Sequence, residues 1–300
     1  MTFSDQNVDV GGLDDRRGRG GGLAIGGGGV GIVGLLIYLL VNFVGGGSGG
    51  DPTQLVPPGQ VQGTGTGEST AELSKRCNTS GALDKYDDCY LIKVYNEINE
   101  TWTADFARRG ATYEKPRLGF YEQAVQTGCG NASSQVGPFY CPPDQEIYID
   151  IGFLKQLQDQ FGAQGRFAEA YIIAHEAGHH LQTLLGIEAK VRAAQQRDAS
   201  AQNDLSVSLE LQADCFAGAW SKLSDQRGNV SVSPAQLAEA QNAAAAVGDD
   251  RIQQKTQGRV DPESFTHGTA AQRKQWFTTG YQTGDVNGCS TFQGQVAPAA

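Results

Sequence analysis

The amino-acid sequence predicts an α+β domain in which a small sheet accompanies a larger set of helices. Segments 117–130 and 138–153 are rich in β-branched and aromatic residues and are interrupted by Gly and Pro, as short strands are. The segments around them place apolar residues at helical spacing. With 300 residues, 39% of them hydrophobic, the chain is long enough for one well-packed domain with segments left over at its ends.

The first predicted element is an apolar stretch, 23–44, that contains no charged residue. As a helix it would be about 33 Å long, enough to cross a hydrocarbon core of roughly 30 Å. Arg16, Arg17 and Arg19 precede it, and no basic residue follows until Lys75. Because basic residues stay on the cytoplasmic side, the sequence predicts a cytoplasmic tail at 1–22, a single N-terminal transmembrane helix at 23–44 and an extracytoplasmic remainder attached to the cell membrane. A signal peptide cleaved among the small residues 45–50 is the alternative.

The next segment, 45–70, consists mainly of Gly, Pro, Ser, Thr and Gln, a composition typical of a flexible linker. The folded domain is therefore predicted at 71–295. Its strands are expected between helical segments, with Gly186 ending one helix and Pro234 beginning another. The predicted helical segments are 83–110 (one or two helices), 152–162, 167–185, 204–223, 234–248 and 268–284.

All six cysteines follow the apolar stretch, and their number is even. Two pairs are each separated by about twelve positions, which suits local disulfide loops in an exported domain. Six reduced thiols in a cytosolic enzyme are the alternative. The expected disulfides join Cys77 to Cys89, Cys129 to Cys141, and Cys215 to Cys289.

Three of the four histidines lie within six positions of one predicted helix, 171-YIIAHEAGHHLQTLLG-186. Residues four apart lie one above the other on a helix, so His175 and His179 project their imidazoles to a common point, which suits a tetrahedral zinc ion. Glu176 flanks the same face and can act as general base on the attacking water. Gly178 lowers helix propensity by about 1 kcal/mol relative to alanine, so we expect another backbone or a substrate to approach closely there.

The second apolar helix, 204–223, supplies a third candidate zinc ligand, Glu210. Asp214 lies one turn later on the same face, where it can accept the N–H of a ligating imidazole and orient the ring. Cys215 is less suitable as a ligand because it lies roughly 140° around the helix from Glu210. The alternative for both acids is a solvated helix face.

The other two histidines have different expected roles. His180 is offset by about 100° from His179, so we expect an ordinary packed or exposed side chain. His267, in 264-SFTHGTAAQ-272, is a candidate catalytic donor for the oxyanion that develops opposite the metal, with a loop or helix-capping role as the alternative.

With these residues identified, the chain resembles the neutral zinc metallopeptidase family of bacteria over residues 71–293. The shared motifs, in order, are TGCG at 127–130, GPFYCP from Gly137, HEAGHH from His175, ELQAD from Glu210, and the terminal pattern FTHGT…R…WFTTGY…GD…C. The resemblance implies a zincin-like domain behind a membrane segment. It also implies one Zn²⁺ ion bound by His175, His179 and Glu210, with Glu176 as the catalytic glutamate.

We therefore expect zinc-dependent hydrolysis of peptide bonds in a peptide or protein substrate. The strand within 139–149 is expected to form a sheet edge that aligns an extended peptide by backbone pairing. A non-catalytic zinc-containing binding module of the cell envelope is the alternative, but it leaves Glu176 without a role. A disulfide-bonded structural protein leaves the histidine cluster unexplained. The net charge of −10, with scattered basic residues, argues against a nucleic-acid partner.

Overall fold

The structure, a computed structural model, describes residues 1–18, 68–161 and 165–292. It confirms the α+β class, with short strands and a larger helical part. The helices are α1 (Thr70–Cys77), α2 (Ala82–Lys85), α3 (Asp87–Arg108), α4 (Ile151–Phe161), α5 (Arg166–Leu184), α6 (Ile187–Arg197), α7 (Gln202–Arg227), α8 (Pro234–Ala246), α9 (Asp249–Gln257) and α10 (Ala270–Thr283). The strands are β1 (Thr2–Phe3), β2 (Leu13–Asp15), β3 (Arg117–Tyr121), β4 (Ala124–Thr127), β5 (Gly130–Ser133), β6 (Phe139–Cys141), β7 (Glu146–Asp150) and β8 (Val230–Ser231).

The central sheet has four strands in the order β2-β3-β7-β6. β2 and β7 pair in parallel with β3, whereas β6 pairs antiparallel with β7 and places Tyr140 opposite Ile147. All five residues of β7 are buried, which explains the nearly continuous apolar and aromatic run at 147–151. The single edge strand expected within 139–149 is two strands: β6 lies at one edge of this sheet, whereas β7 lies inside it between β3 and β6.

The helices that follow the sheet pack through glycine contacts. A Cβ at Gly178 in α5 would lie 3.0 Å from the Cα of Ala213 in α7, so the expected close approach is confirmed as a backbone contact. A Cβ at Gly218 or at Gly280 would overlap a backbone carbonyl of the partner helix, because α7 and α10 touch backbone to backbone. These contacts fix α5, α7 and α10 against one another.

The three predicted disulfides are confirmed. Cys77–Cys89 and Cys129–Cys141 each join residues 12 positions apart. Cys215–Cys289 spans 74 positions and ties α7 to the segment after α10. No free cysteine occurs in the part of the chain that the structure describes.

A helix is present in each predicted helical segment, and the described residues contain three further helices. Gly186 has a φ of +66°, and α5 ends just before it as predicted, but the same residue also begins α6. Ser233 and Gln236 form a capping box around Pro234 at the start of α8. The sequence pattern did not predict α1, α6 or α9. All three are short polar helices with few buried positions.

The predicted N-terminal boundary requires correction. The sequence predicts a tail, 1–22, separate from a domain that starts at residue 71, but residues 1–18 are part of the same folded unit as residues 68–161 and 165–292. β1 pairs with β8, and β2 extends the central sheet beside β3. These strands were missed because they are two and three residues long.

The predicted transmembrane helix at 23–44 lies outside the described residues, as does the predicted linker up to residue 67. Within 1–18, 68–161 and 165–292, no helix has both the length and the apolar composition needed to cross a bilayer.

Candidate metal centre

Three side chains from α5 and α7 converge on one point. The Nε2 atom of His175 lies 3.2 Å from Oε2 of Glu210, and Nε2 of His179 lies 3.4 Å from Oε1 of the same carboxylate. Candidate ligand atoms of the three residues all lie within 4.8 Å of one another. Ligands about 2.1 Å from a tetrahedral zinc ion are roughly 3.4 Å apart, so the observed spacing fits zinc with one coordination position left open.

The other nitrogen of each imidazole is held by the protein. Nδ1–H of His175 donates to Oδ1 of Asp214 at 2.9 Å, as predicted from the spacing of Glu210 and Asp214. Nδ1–H of His179 donates to Oε1 of Gln182 at 2.9 Å, and Gln182 in turn donates to the carbonyl of Leu209 at 2.8 Å. These bonds set the tautomer in which both Nε2 atoms present a lone pair to the metal position.

Asp214 is held by residues that the sequence analysis missed. Its carboxylate is fully buried and accepts hydrogen bonds from Tyr171 Oη and from Arg273 Nε (2.8 Å) and Nη2 (3.1 Å). Arg273 is 3% exposed, and its Nη1 donates to the carbonyl of Val247. The arginine in the terminal pattern FTHGT…R…WFTTGY was the available signal for this residue.

Glu176 lies beside the histidines in a cleft of about 290 Å³. Tyr140 lines the same cleft, so the general-base candidate sits next to the edge strand β6. The β4–β5 hairpin contributes Cys129 to the cleft wall, where the disulfide to Cys141 joins it to β6.

His267 lines the same cleft, as its proposed contact with the reaction centre requires. Asp249 at the start of α9 accepts its Nδ1–H at 3.1 Å and also the backbone N–H groups of Thr266, His267 and Gly268. His267 is therefore held through Nδ1, and Asp249 joins Tyr171, Gln182 and Arg273 among the residues whose roles the sequence did not predict.

His180 is confirmed as a packed residue. It is fully buried, with Nδ1 2.9 Å from the hydroxyl of Tyr140 and Nε2 donating to the carbonyl of Glu114 at 2.6 Å. It therefore joins the helix that carries the histidines to the edge strand of the cleft.

The buried charges shift the pKa values of these groups. Burial would lower the pKa of His175, but Asp214 and Glu210 outweigh it and raise that pKa to about 10. Burial would raise the pKa of Glu210, but the neighbouring histidines hold it well below the usual range. Burial raises the pKa of Glu176, against the effect of His175 and His179. A divalent cation that binds here must therefore displace a proton from His175.

Comparison with known proteins supports this chemistry. The sequence model of the family described as "Putative neutral zinc metallopeptidase" matches residues 3–292. The chain belongs to this family. Relatives of the chain include "Uncharacterized protein YpfJ" of Escherichia coli (strain K12), 44% identical over 284 residues that cover 93% of this chain and 95% of the relative. "Uncharacterized protein Rv2575" of Mycobacterium tuberculosis (strain ATCC 25618 / H37Rv) is 43% identical over 226 residues, 72% of this chain and 74% of the relative. No solved structure matches the chain significantly.

Proposed function

We propose that this member of the zinc metallopeptidase family hydrolyses peptide bonds in a zincin-like cleft, with one zinc ion held by His175, His179 and Glu210. The observation that supports this most directly is the convergence of two Nε2 atoms and one carboxylate beside a buried glutamate in an open cleft. When bound, zinc would polarise the scissile carbonyl and lower the pKa of the attacking water.

The residues around the site have complementary roles in this mechanism. Glu176 takes a proton from the attacking water and returns it to the leaving amine. Burial would lower the pKa of His267, but Asp249 raises it, and the protonated ring donates from Nε2 to the developing oxyanion. Asp214 keeps His175 in the tautomer that binds metal.

The cleft walls indicate how a peptide is bound. β6 forms one wall and lies at a sheet edge, so an extended peptide can pair with it through backbone hydrogen bonds. Phe139, Ile172 and Leu209 make the adjoining surface apolar. We expect preference for an apolar side chain next to the scissile bond, because the apolar wall offers such a side chain burial from water.

The three disulfides support action outside the cytoplasm, where disulfides form and persist. Contact with the membrane through residues 23–44 stays a prediction from the sequence.

Glu176→Gln tests the mechanism, because glutamine keeps the shape of the side chain but cannot accept the proton. The zinc-loaded variant should keep its metal content and lose roughly 100-fold to 10,000-fold in peptide turnover. Glu169→Gln, two turns earlier on α5 and outside the cleft lining, is the matched control and should turn over at the parental rate. Parental turnover by zinc-loaded Glu176→Gln would refute the mechanism. A parent protein that binds zinc but cleaves nothing in a broad peptide library would favour the binding module instead.

A further inference from the structure

The N-terminal segment, residues 1–18, is bound to the domain through its backbone along most of its length. β1 pairs with β8, and β2 pairs with β3. Between them, Asn78 bonds both the N–H and the carbonyl of Val8, at 2.9 and 3.0 Å. Asn96 does the same for Asp9, with both distances 2.9 Å. Two side-chain amides thus continue the backbone pairing where the strands stop.

The N-terminal segment also contributes to the apolar interior. Phe3 and Val8 are buried members of the main core. The ring of Phe3 lies 5.9 Å from that of Tyr90 in α3. Separating the segment from the domain would expose both side chains and the surface beneath them.

The basic residues of this segment are bound to acids of the domain. Nη2 of Arg16 lies 3.3 Å from the carboxylate of Glu146, whose side chain is fully buried. Nη1 of Arg17 lies 2.9 Å from Asp88. Without the segment, Glu146 would keep its ion pair with Arg117, whose side chain is half exposed, and would lose the one with Arg16. Two of the three arginines that suggested a cytoplasmic N-terminus therefore neutralise charges of the domain.

We infer that residues 1–18 lie on the same side of the cell membrane as residues 68–292. A single crossing by the apolar stretch between them would place the two parts in different compartments, and none of the contacts above could form. The family match begins at residue 3, so most of the segment belongs to the sequence that the family shares. This inference concerns topology and does not depend on the proposed catalysis.

Thiol labelling of the full chain in intact bacterial cells tests the inference. Gln6→Cys and, separately, Gln254→Cys place one unpaired thiol at an exposed position of each part. A membrane-impermeant maleimide should label both variants in intact cells to the same fraction of the labelling obtained after lysis. Labelling of Gln254→Cys with protection of Gln6→Cys would overturn the inference. If both variants are labelled only after lysis, the two parts still share a compartment, but that compartment is the cytoplasm. This result would overturn the extracytoplasmic location proposed above.

A cross-link tests the contact itself. Thr2 and Ser231 are exposed and directly opposite each other in the β1–β8 pair. Thr2→Cys/Ser231→Cys should form a disulfide in cells, detected by mass spectrometry of non-reduced peptides, because directly opposed Cβ atoms are about 4.5–5.5 Å apart. Gln6→Cys/Ser231→Cys, which pairs a residue beyond β1, should not. Absence of the disulfide in the first double variant, or equal linking in the control, would overturn the docking.

Discussion

Asp214→Asn perturbs the carboxylate on which the candidate metal centre depends. Asp214 accepts one hydrogen bond from Tyr171, one from His175 and two from Arg273. Asparagine has a single acceptor oxygen, and its NH₂ group would face a donor in place of the second oxygen. The substitution therefore removes the negative charge that neutralises a fully buried guanidinium.

Two magnitudes follow from this arrangement. Breaking a buried ion pair by removing one partner costs about 3–5 kcal/mol of folding free energy. The loss of a charged acceptor for His175 should weaken zinc binding by about 10-fold to 100-fold. Arg273→Met alone should also destabilise the fold, because it removes the guanidinium that offsets the fully buried charge of Asp214 and leaves only His175 beside it. The double variant Asp214→Asn/Arg273→Met should lose at least about 2 kcal/mol less free energy of unfolding than the two single losses added together. Each single variant breaks the same ion pair, so the second substitution has less left to remove.

Urea unfolding of the zinc-free protein with its disulfides intact measures the first quantity, and competition with a chromogenic chelator measures the second. Asp204→Asn is the control, because it lies on the same helix at an exposed position and should change the free energy of unfolding by less than about 1 kcal/mol. If Asp214→Asn behaves like this control in both assays, or if the effects of Asp214→Asn and Arg273→Met simply add, the buried pair of Asp214 and Arg273 does not stabilise the fold as described.

Three further variants test the packing of the helices and the electrostatics of a buried carboxyl group. Replacing both Cys215 and Cys289 by alanine opens a loop of 74 positions and should lower the free energy of unfolding by about 4 kcal/mol in urea titrations; a loss under about 1 kcal/mol would contradict this constraint. Gly280→Ala forces a Cβ into a backbone carbonyl of α7 and should cost about 1–3 kcal/mol or more in the same assay, so parental stability would contradict the close contact. Burial raises the pKa of Glu169 from 4.5 to about 7, so this carboxyl destabilises the fold progressively as pH rises from about 4.5 through 7. Glu169→Gln should therefore gain roughly 2 kcal/mol relative to the parent between pH 5 and pH 8, and parallel curves of unfolding free energy against pH would refute this.

Much of the candidate centre was predictable because it depends on spacing within single helices. The four-residue spacing of His175 and His179, and that of Glu210 and Asp214, fixes which side chains share a face whatever surrounds the helix. The glycine at 178 predicted a close neighbour, and Ala213 of the second helix is that neighbour. The helical spacing of the candidate ligands and the position of Gly178 therefore indicated which faces of the two helices contact each other.

The remaining features depend on contacts between distant parts of the chain. Arg273 reaches Asp214, 59 positions away, because Gly218 and Gly280 let α10 touch the backbone of α7. Periodicity within α10 gives no indication of that contact. β1 pairs with a strand more than two hundred positions later, and a two-residue strand carries no alternation that a sequence pattern could show. Only the assembled fold identifies these residues.

The docking of the N-terminal segment has a practical consequence for truncation and for proteolysis. A chain that begins near residue 68 would lack two strands, so it would present the open edges of β3 and β8 and the buried carboxylate of Glu146 to solvent. Such a fragment should aggregate. A chain cut once between residues 18 and 68 should instead elute as a single species under native conditions and separate into two pieces only when denatured. An 18-residue peptide added in trans should then restore solubility to the truncated fragment.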